Sequence, residues 1–160
     1  MGNNQFVVKK ICKFDFIALK EICNILYLSG KDMSEKYDLH HWDNSRLKTW
    51  IIVILCVLKN DIYVVFDEKS IVATFQLKKQ DKVLFFRKLA TLPSEAGRGI
   101  GSFCMSTIEA IAKTEGCSLI KCEVYDKSEH AIEFYKKRNY KINGSVETIK
   151  YTEIRMEKEV

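Results

Sequence analysis

The chain is poor in residues that interrupt a fold. Pro93 is its only proline, and the sequence contains no repeat and no low-complexity stretch, so nothing marks a linker between domains. Its six cysteines, Cys12, Cys23, Cys56, Cys104, Cys117 and Cys122, include no C-x-x-C pair, which argues against the usual zinc and redox spacings, and no metal site is expected. Several lie in apolar patterns, where a reduced cysteine acts as a small hydrophobe; the expectation is a cytoplasmic protein with mostly reduced thiols. No apolar run approaches the roughly 20 residues that cross a bilayer. The most hydrophobic one, Trp50 to Leu58, reads as a buried helix. The N-terminus lacks a cleavable apolar segment, and Phe6 stands where a myristoylation pattern requires Ser or Thr, so no membrane partner is expected.

What is present is an ordinary globular composition. With 160 residues, 47% apolar and 29% charged, the chain is long enough to bury a core and is expected to form one domain over 1–160. A formal charge of +5 suits nucleic acid, an anionic surface or a polyphosphate cofactor, and does not rank them. A nucleic-acid partner is not expected, because no recognition helix or aromatic strand signature accompanies the charge.

Periodicity predicts a strand over Gln5–Cys12, then a helix capped by Asp15 that runs to about Ser29 and stops at Gly30. Residues 31–44 read as a loop or short helix, and Asn44 or Ser45 caps a second helix to about Lys59. Three strands follow, Asp61–Phe66, Ile71–Lys79 and Lys82–Leu92, the first two joined by the turn Asp67-Glu68-Lys69-Ser70. Ser102–Glu115 reads as a helix stopped by Gly116, and Leu119–Tyr125 as a strand. Ser128 caps a helix to about Arg138, and Tyr140–Ser145 and Thr148–Met156 form a closing antiparallel pair. The class is mixed α/β, with a parallel crossover from the Lys82–Leu92 strand to the Leu119–Tyr125 strand.

The informative stretch runs from Leu89 to Ser102, leaving a strand and entering a helix through Gly97, Gly99 and Gly101. Small residues let backbone N–H groups converge, and the first amides of a helix lack internal acceptors, so the turn can hold a phosphate. Arg98 adds a charge that either meets such a phosphate or points into water. A P-loop is excluded because no Lys-Ser/Thr pair follows the last glycine. A dinucleotide-binding unit would place the turn near the start of a βαβ fold, whereas three antiparallel-type strands come first here. A purely structural turn remains open at this point.

The run Leu89-Ala90-Thr91-Leu92-Pro93, three further residues, then Gly97-Arg98-Gly99-Ile100-Gly101, resembles motif A of the GNAT superfamily of N-acetyltransferases, which reads Leu-Ala-Val-x-Pro, three variable positions, Gly-x-Gly-Ile-Gly. Downstream, Ser128 to Tyr140 resembles motif B, Asn-x-x-Ala-x-x-Phe/Leu-Tyr-Glu-Lys-x-Gly-Phe, with Ala131, Phe134 and Tyr135 in register. The chain departs at Ala96, where the family has Gln or Arg, at Ser128 for Asn, and at Asn139 for Gly. The resemblance implies a GNAT-like central mixed, mostly antiparallel sheet of about seven strands flanked by about four helices. It also implies acetyl-CoA as cosubstrate, lying in a wedge between the Lys82–Leu92 and Leu119–Tyr125 strands. Carried over position by position, the cofactor contacts are Leu89, Ala90, Thr91, Ala96, Gly97, Arg98, Gly99, Ile100, Gly101, Ser102, Ser128, Ala131 and Tyr135.

Acyl transfer from a thioester needs a neutral amine, a stabilised oxyanion and a managed thiolate. The resemblance implies direct transfer, with Tyr135 protonating the leaving thiolate, although its ring can equally pack on the core. Glu123 is the candidate base, acting directly or through water, with a solvent-facing position or pairing to Lys121 as the alternative. Tyr37, His40, His41 and Trp42 suit an aromatic acceptor wall or simply pack a loop. Cys122 reads as a buried structural residue, and Lys136-Lys137-Arg138 as a solvated helix end. The expected function is acetyl-CoA-dependent transfer to a primary amine of a small molecule or peptide; the alternative is a non-catalytic acyl-CoA-binding or regulatory module. The acceptor, the length of the acyl group and the oligomeric state are left open, with a homodimer common among relatives.

Overall fold

The computed structural model describes residues 6–160. Seven strands form one sheet in the order β1-β2-β3-β4-β5-β7-β6, with β1 (Val7–Lys10), β2 (Asp61–Asp67), β3 (Ser70–Gln80), β4 (Val83–Thr91), β5 (Leu119–Tyr125), β6 (Lys141–Glu147) and β7 (Thr152–Glu159). Every neighbouring pair is antiparallel except β4 and β5. The four helices are α1 (Phe16–Tyr37), α2 (Arg46–Lys59), α3 (Ile100–Thr114) and α4 (Glu129–Lys136). This is the expected mixed α/β architecture, and it has two cores. One joins Leu19, Ile22, Ile25 and Leu26 of α1 and Val53 and Val57 of α2 to Ile62 and Val64 of β2. The other joins Cys104, Met105 and Ile108 of α3 to Phe75, Phe86, Ile120 and Met156 of the sheet.

Local chemistry sets most boundaries as the sequence predicts. The Asp15 carboxylate accepts from the Ala18 N–H at 3.0 Å, and the Ser45 hydroxyl accepts from the Lys48 N–H at 3.2 Å, so both helices start at their capping side chains. The exceptions have physical causes. Gly30 does not stop α1; it is buried inside a helix that runs on to Tyr37 and ends at Asp38 in the left-handed conformation. A Cβ on Gly30 would lie 2.2 Å from the Trp42 carbonyl oxygen, so the glycine serves a close approach rather than a cap. The first half of the 31–44 segment, read as a loop or short helix, is therefore a continuation of α1.

Strand β1 is shorter than Gln5–Cys12, and Gln5 lies outside the described residues. The closing pair is shifted toward the C-terminus: β7 pairs along the whole of β5, from Tyr125↔Glu153 to Leu119↔Glu159, which carries it to Glu159. The connection before it is held by Thr148, whose hydroxyl donates to the Tyr151 carbonyl at 2.6 Å and accepts from the Tyr151 N–H at 3.1 Å. Helix α4 ends at Lys136, and Ser128 sits at its N-cap without a side-chain hydrogen bond. Helix α2 also differs from expectation. It buries Thr49, Val53 and Val57 but leaves Leu47, Ile51, Ile54, Leu55 and Leu58 exposed.

Candidate active site

The site begins where two parallel strands separate. Strands β4 and β5 pair through Val83↔Leu119, Leu84↔Ile120 and Phe85↔Lys121, and beyond that point each pairs only with its outer neighbour. Their unpaired edges open a wedge. Between Arg87, opposite Gln76, and Ala90, opposite Thr74, strand β4 carries one extra residue, a bulge at which Lys88 takes a φ of 48°. A bulge on the inner edge turns backbone groups into the gap.

The glycine turn closes one end of the wedge. Gly97 and Gly99 have φ values of 80° and 79°, so the chain reverses through conformations that L-residues enter at a cost. Gly99 is the N-cap of α3, and the first bond of its ladder is Phe103 N–H to the Gly99 carbonyl at 2.9 Å. The amides of Ile100, Gly101 and Ser102 precede that bond and have no acceptor within the helix. Gly101 lies against α4, where an added Cβ would stand 3.6 Å from the Phe134 ring. The Ser102 carbonyl accepts from the Arg138 guanidinium at 3.1 Å, which ties the two ends of the candidate motifs together. The Arg98 guanidinium is engaged by Glu95 and by Asp67, at 2.7 Å from the latter, so what this residue offers the turn is its backbone.

A cleft of about 440 Å³ runs through the wedge. Leu89, Ala90, Thr91, Ala96, Gly101, Ser128, Ala131 and Tyr135 line it together with Glu123, which places most of the sequence-selected residues around one space. Gly97, Arg98, Gly99, Ile100 and Ser102 belong to the adjoining turn; Ile100 is buried in the core and Ser102 is exposed. Tyr135 is buried between Phe86 and Tyr140, with ring centroids 5.5 and 5.8 Å away. Burial, then the nearby Cys122, Tyr140 and Cys104, push its phenol far above the ordinary range, so it is a neutral hydroxyl at any working pH. The Cys122 thiol is likewise pushed up by burial and by Glu123, which leaves it a poor nucleophile.

Glu123 is less free than the sequence suggests. It pairs not with Lys121, which is 3.3 Å from Glu157, but with Arg155 at 3.4 Å and Arg87 at 4.0 Å. Glu153, opposite Tyr125 on β7, lines the same cleft, and burial followed by the charge of Glu123 holds its carboxyl above the usual range. Sequence reasoning missed Glu153, because only the β5–β7 register brings it beside the wedge. The mouth of the cleft is aromatic: Tyr37 stacks on His130 at 4.2 Å, and His41 meets Tyr125 at 4.2 Å with Trp42 beside it. Burial, aided by His130 and Lys88, lowers the His41 imidazole to about 4, and burial also lowers His130. His40 instead bonds Ser34 at 2.8 Å and Asp38 at 2.7 Å, bracing the loop.

This geometry agrees with comparisons to known proteins. The family described as "Acetyltransferase (GNAT) family" matches residues 19–140, and the chain belongs to it. Among similar solved structures, the PaiA N-acetyltransferase of Thermoplasma acidophilum, in complex with coenzyme A, is 16% identical with a TM-score of 0.78, over 98% of this chain and 99% of that one. An aminoglycoside 6'-N-acetyltransferase complexed with coenzyme A is 15% identical, with a TM-score of 0.72 over 96% of each chain. The ribosomal-protein-S18-alanine N-acetyltransferase of Escherichia coli is 12% identical, with a TM-score of 0.73 over 98% of this chain and 94% of that one. At these identities the likeness establishes a shared fold, a mostly antiparallel seven-stranded sheet with four helices.

Proposed function

We propose that the whole chain is one acetyltransferase domain that moves an acetyl group directly from acetyl-CoA to a primary amine of a small molecule or peptide. The observation that carries this reading is the β4/β5 wedge, with a glycine turn of free amides at one end and a neutral tyrosine hydroxyl inside it. The residues fit the cosubstrate in kind. Unpartnered amides of Ile100, Gly101 and Ser102 suit a pyrophosphate, and the unpaired edge of Leu89, Ala90 and Thr91 suits an amide-bearing arm laid as an extra strand. Acetyl-CoA supplies the activated acyl group. Two relatives of the same fold were solved with coenzyme A.

In this reading the amine enters from the aromatic mouth and attacks the thioester carbonyl, and an N–H from the β4 bulge faces the developing oxyanion. Tyr135 donates a hydrogen bond to the departing thiolate. Because its phenol is far less acidic than a thiol, it stabilises that charge without surrendering its proton early. The carboxylates Glu123 and Glu153 form the side of the cleft that receives the amine's proton, directly or through water. No covalent enzyme intermediate is needed, and the raised Cys122 thiol is not suited to one. A cytoplasmic location, where six free thiols persist, belongs to the same proposal.

The test pairs calorimetry with turnover. Coenzyme A should bind, and acetyl-CoA with a panel of primary amines should release free thiol and acetylated amine in equal amounts. Binding without transfer to any amine would favour the acyl-CoA-binding alternative, and absence of binding would overturn both.

A further inference from the structure

Helix α2 is apolar on two faces. One is buried against α1 and the sheet through Val53 and Val57. The other carries Leu47, Ile51, Ile54 and Leu58, with Leu55 beside them, exposed by 72, 50, 52, 67 and 53%. The spacing of four, three and four residues is a helix-packing seam on a surface open to water. No charge falls within it. Beyond its end the patch continues onto the start of α1, where Phe14, Phe16 and Ile17 are more than two-thirds exposed. Cys12 and Lys13 share a cavity wall with Val57 and Asn60, so the start of α1 lies beside the end of α2.

We propose that this face is the interface of a homodimer in which α2 packs antiparallel on α2 of a second copy about a two-fold axis between Ile51 and Ile54. At on the order of 200 Å² per fully exposed large residue, these eight side chains present about 1,000 Å² of surface. A stable pair hides about 800 Å² per partner, whereas the largest apolar patch of a monomer covers about 300–600 Å². The seam is self-complementary: in this register Leu47 meets Leu58 of the other copy, and Ile51 meets Ile54, twice each. The charges stand at the rim, with Arg46, Lys48 and Lys59 on α2 and Lys13, Asp15, Lys20 and Glu21 at the start of α1. Because cations outnumber carboxylates there, the two copies repel at their edges, and added salt should tighten the pair.

The test is sedimentation of the full chain at tens of micromolar. The expected species has twice the 18.6 kDa chain mass, and its dissociation constant falls as salt rises. Ile51→Glu should weaken dimerisation by about a hundredfold or more, with circular dichroism unchanged because the site is exposed. Combining Ile51→Glu with Ile54→Lys in one chain places opposite charges across the axis and should restore much of the association. A monomer under all conditions would overturn the proposal. So would a dimer indifferent to Ile51→Glu, a double variant that fails to recover, or a monomer that binds phosphatidylcholine–phosphatidylglycerol vesicles more weakly as salt rises.

Discussion

At the scale of single residues, the site rests on groups whose environments hold them in one protonation state. The Tyr135 ring is packed between Phe86 and Tyr140, and its phenol stays protonated and so keeps a proton to donate. Tyr135→Phe keeps the ring packing and removes the donor. It should lower kcat by about a hundredfold while changing coenzyme A affinity less than about threefold, read by stopped-flow turnover and calorimetry. The carboxylates make a separable prediction. Glu153 is held above the usual range by burial first and by Glu123 second, so the acidic limb of the rate profile should lie above an ordinary glutamate. Glu123→Gln removes the neighbouring charge and should move that limb to lower pH, whereas Glu153→Gln should abolish it.

At the scale of elements, the acceptor wall depends on how closely the loop between α1 and α2 approaches α1. Gly30 lets the Trp42 carbonyl come within 2.2 Å of where a Cβ would stand, and the loop that follows presents His41 and Trp42 to the cleft. Gly30→Ala must push that backbone away. It should cost about 2 kcal/mol of stability in denaturant unfolding and raise the KM for the amine, while leaving coenzyme A binding unchanged. The opposite end of the cleft depends on the Gly97–Gly99 turn and on the Ser102–Arg138 bond that fastens α3 to the segment just after α4. These two supports do not share residues, so damage to the acceptor wall and to the turn should be separable kinetically.

At the scale of the whole molecule, His41 links the cleft to stability. Its folded imidazole titrates at about 4 against 6.5 for the free side chain, because burial disfavours the cation. Above pH 6.5 both states leave it neutral and it has no effect. As pH falls below 6.5 the unfolded chain takes up a proton that the native state refuses, and the loss accumulates until about pH 4. Over that window it reaches about 3 kcal/mol. Thermal unfolding should therefore show Tm falling between pH 6.5 and 4, and His41→Gln should flatten part of that slope. His130, lowered in the same direction by burial, supplies some of what remains.

Much of this protein was legible in its residues because the signals are local. Asp15 and Ser45 cap the helices that follow them, the Asp67–Ser70 turn joins two alternating strands, and strand β5 falls at Leu119–Tyr125 as expected. The run from Leu89 to Gly101 and the helix after Ser128 marked the family before any geometry was known. What residues alone did not reveal are relations across the sheet. Gly30 reads as a stop until Trp42 is seen packed on it, and Glu153 reads as one more charged strand residue until its pairing opposite Tyr125 sets it beside Glu123. Arg98 reads as a charge that meets a phosphate or points into water until Asp67 and Glu95 claim its guanidinium. The hydrophobic run of α2 reads as core, yet a helix lying on a sheet can bury only one face, and the other was left outside by its packing. Caps, turns and periodicity act over a few residues, so sequence determined the elements and the turn. The partners of each side chain, and hence the shape and charge of the cleft, were decided by contacts between segments far apart in the chain.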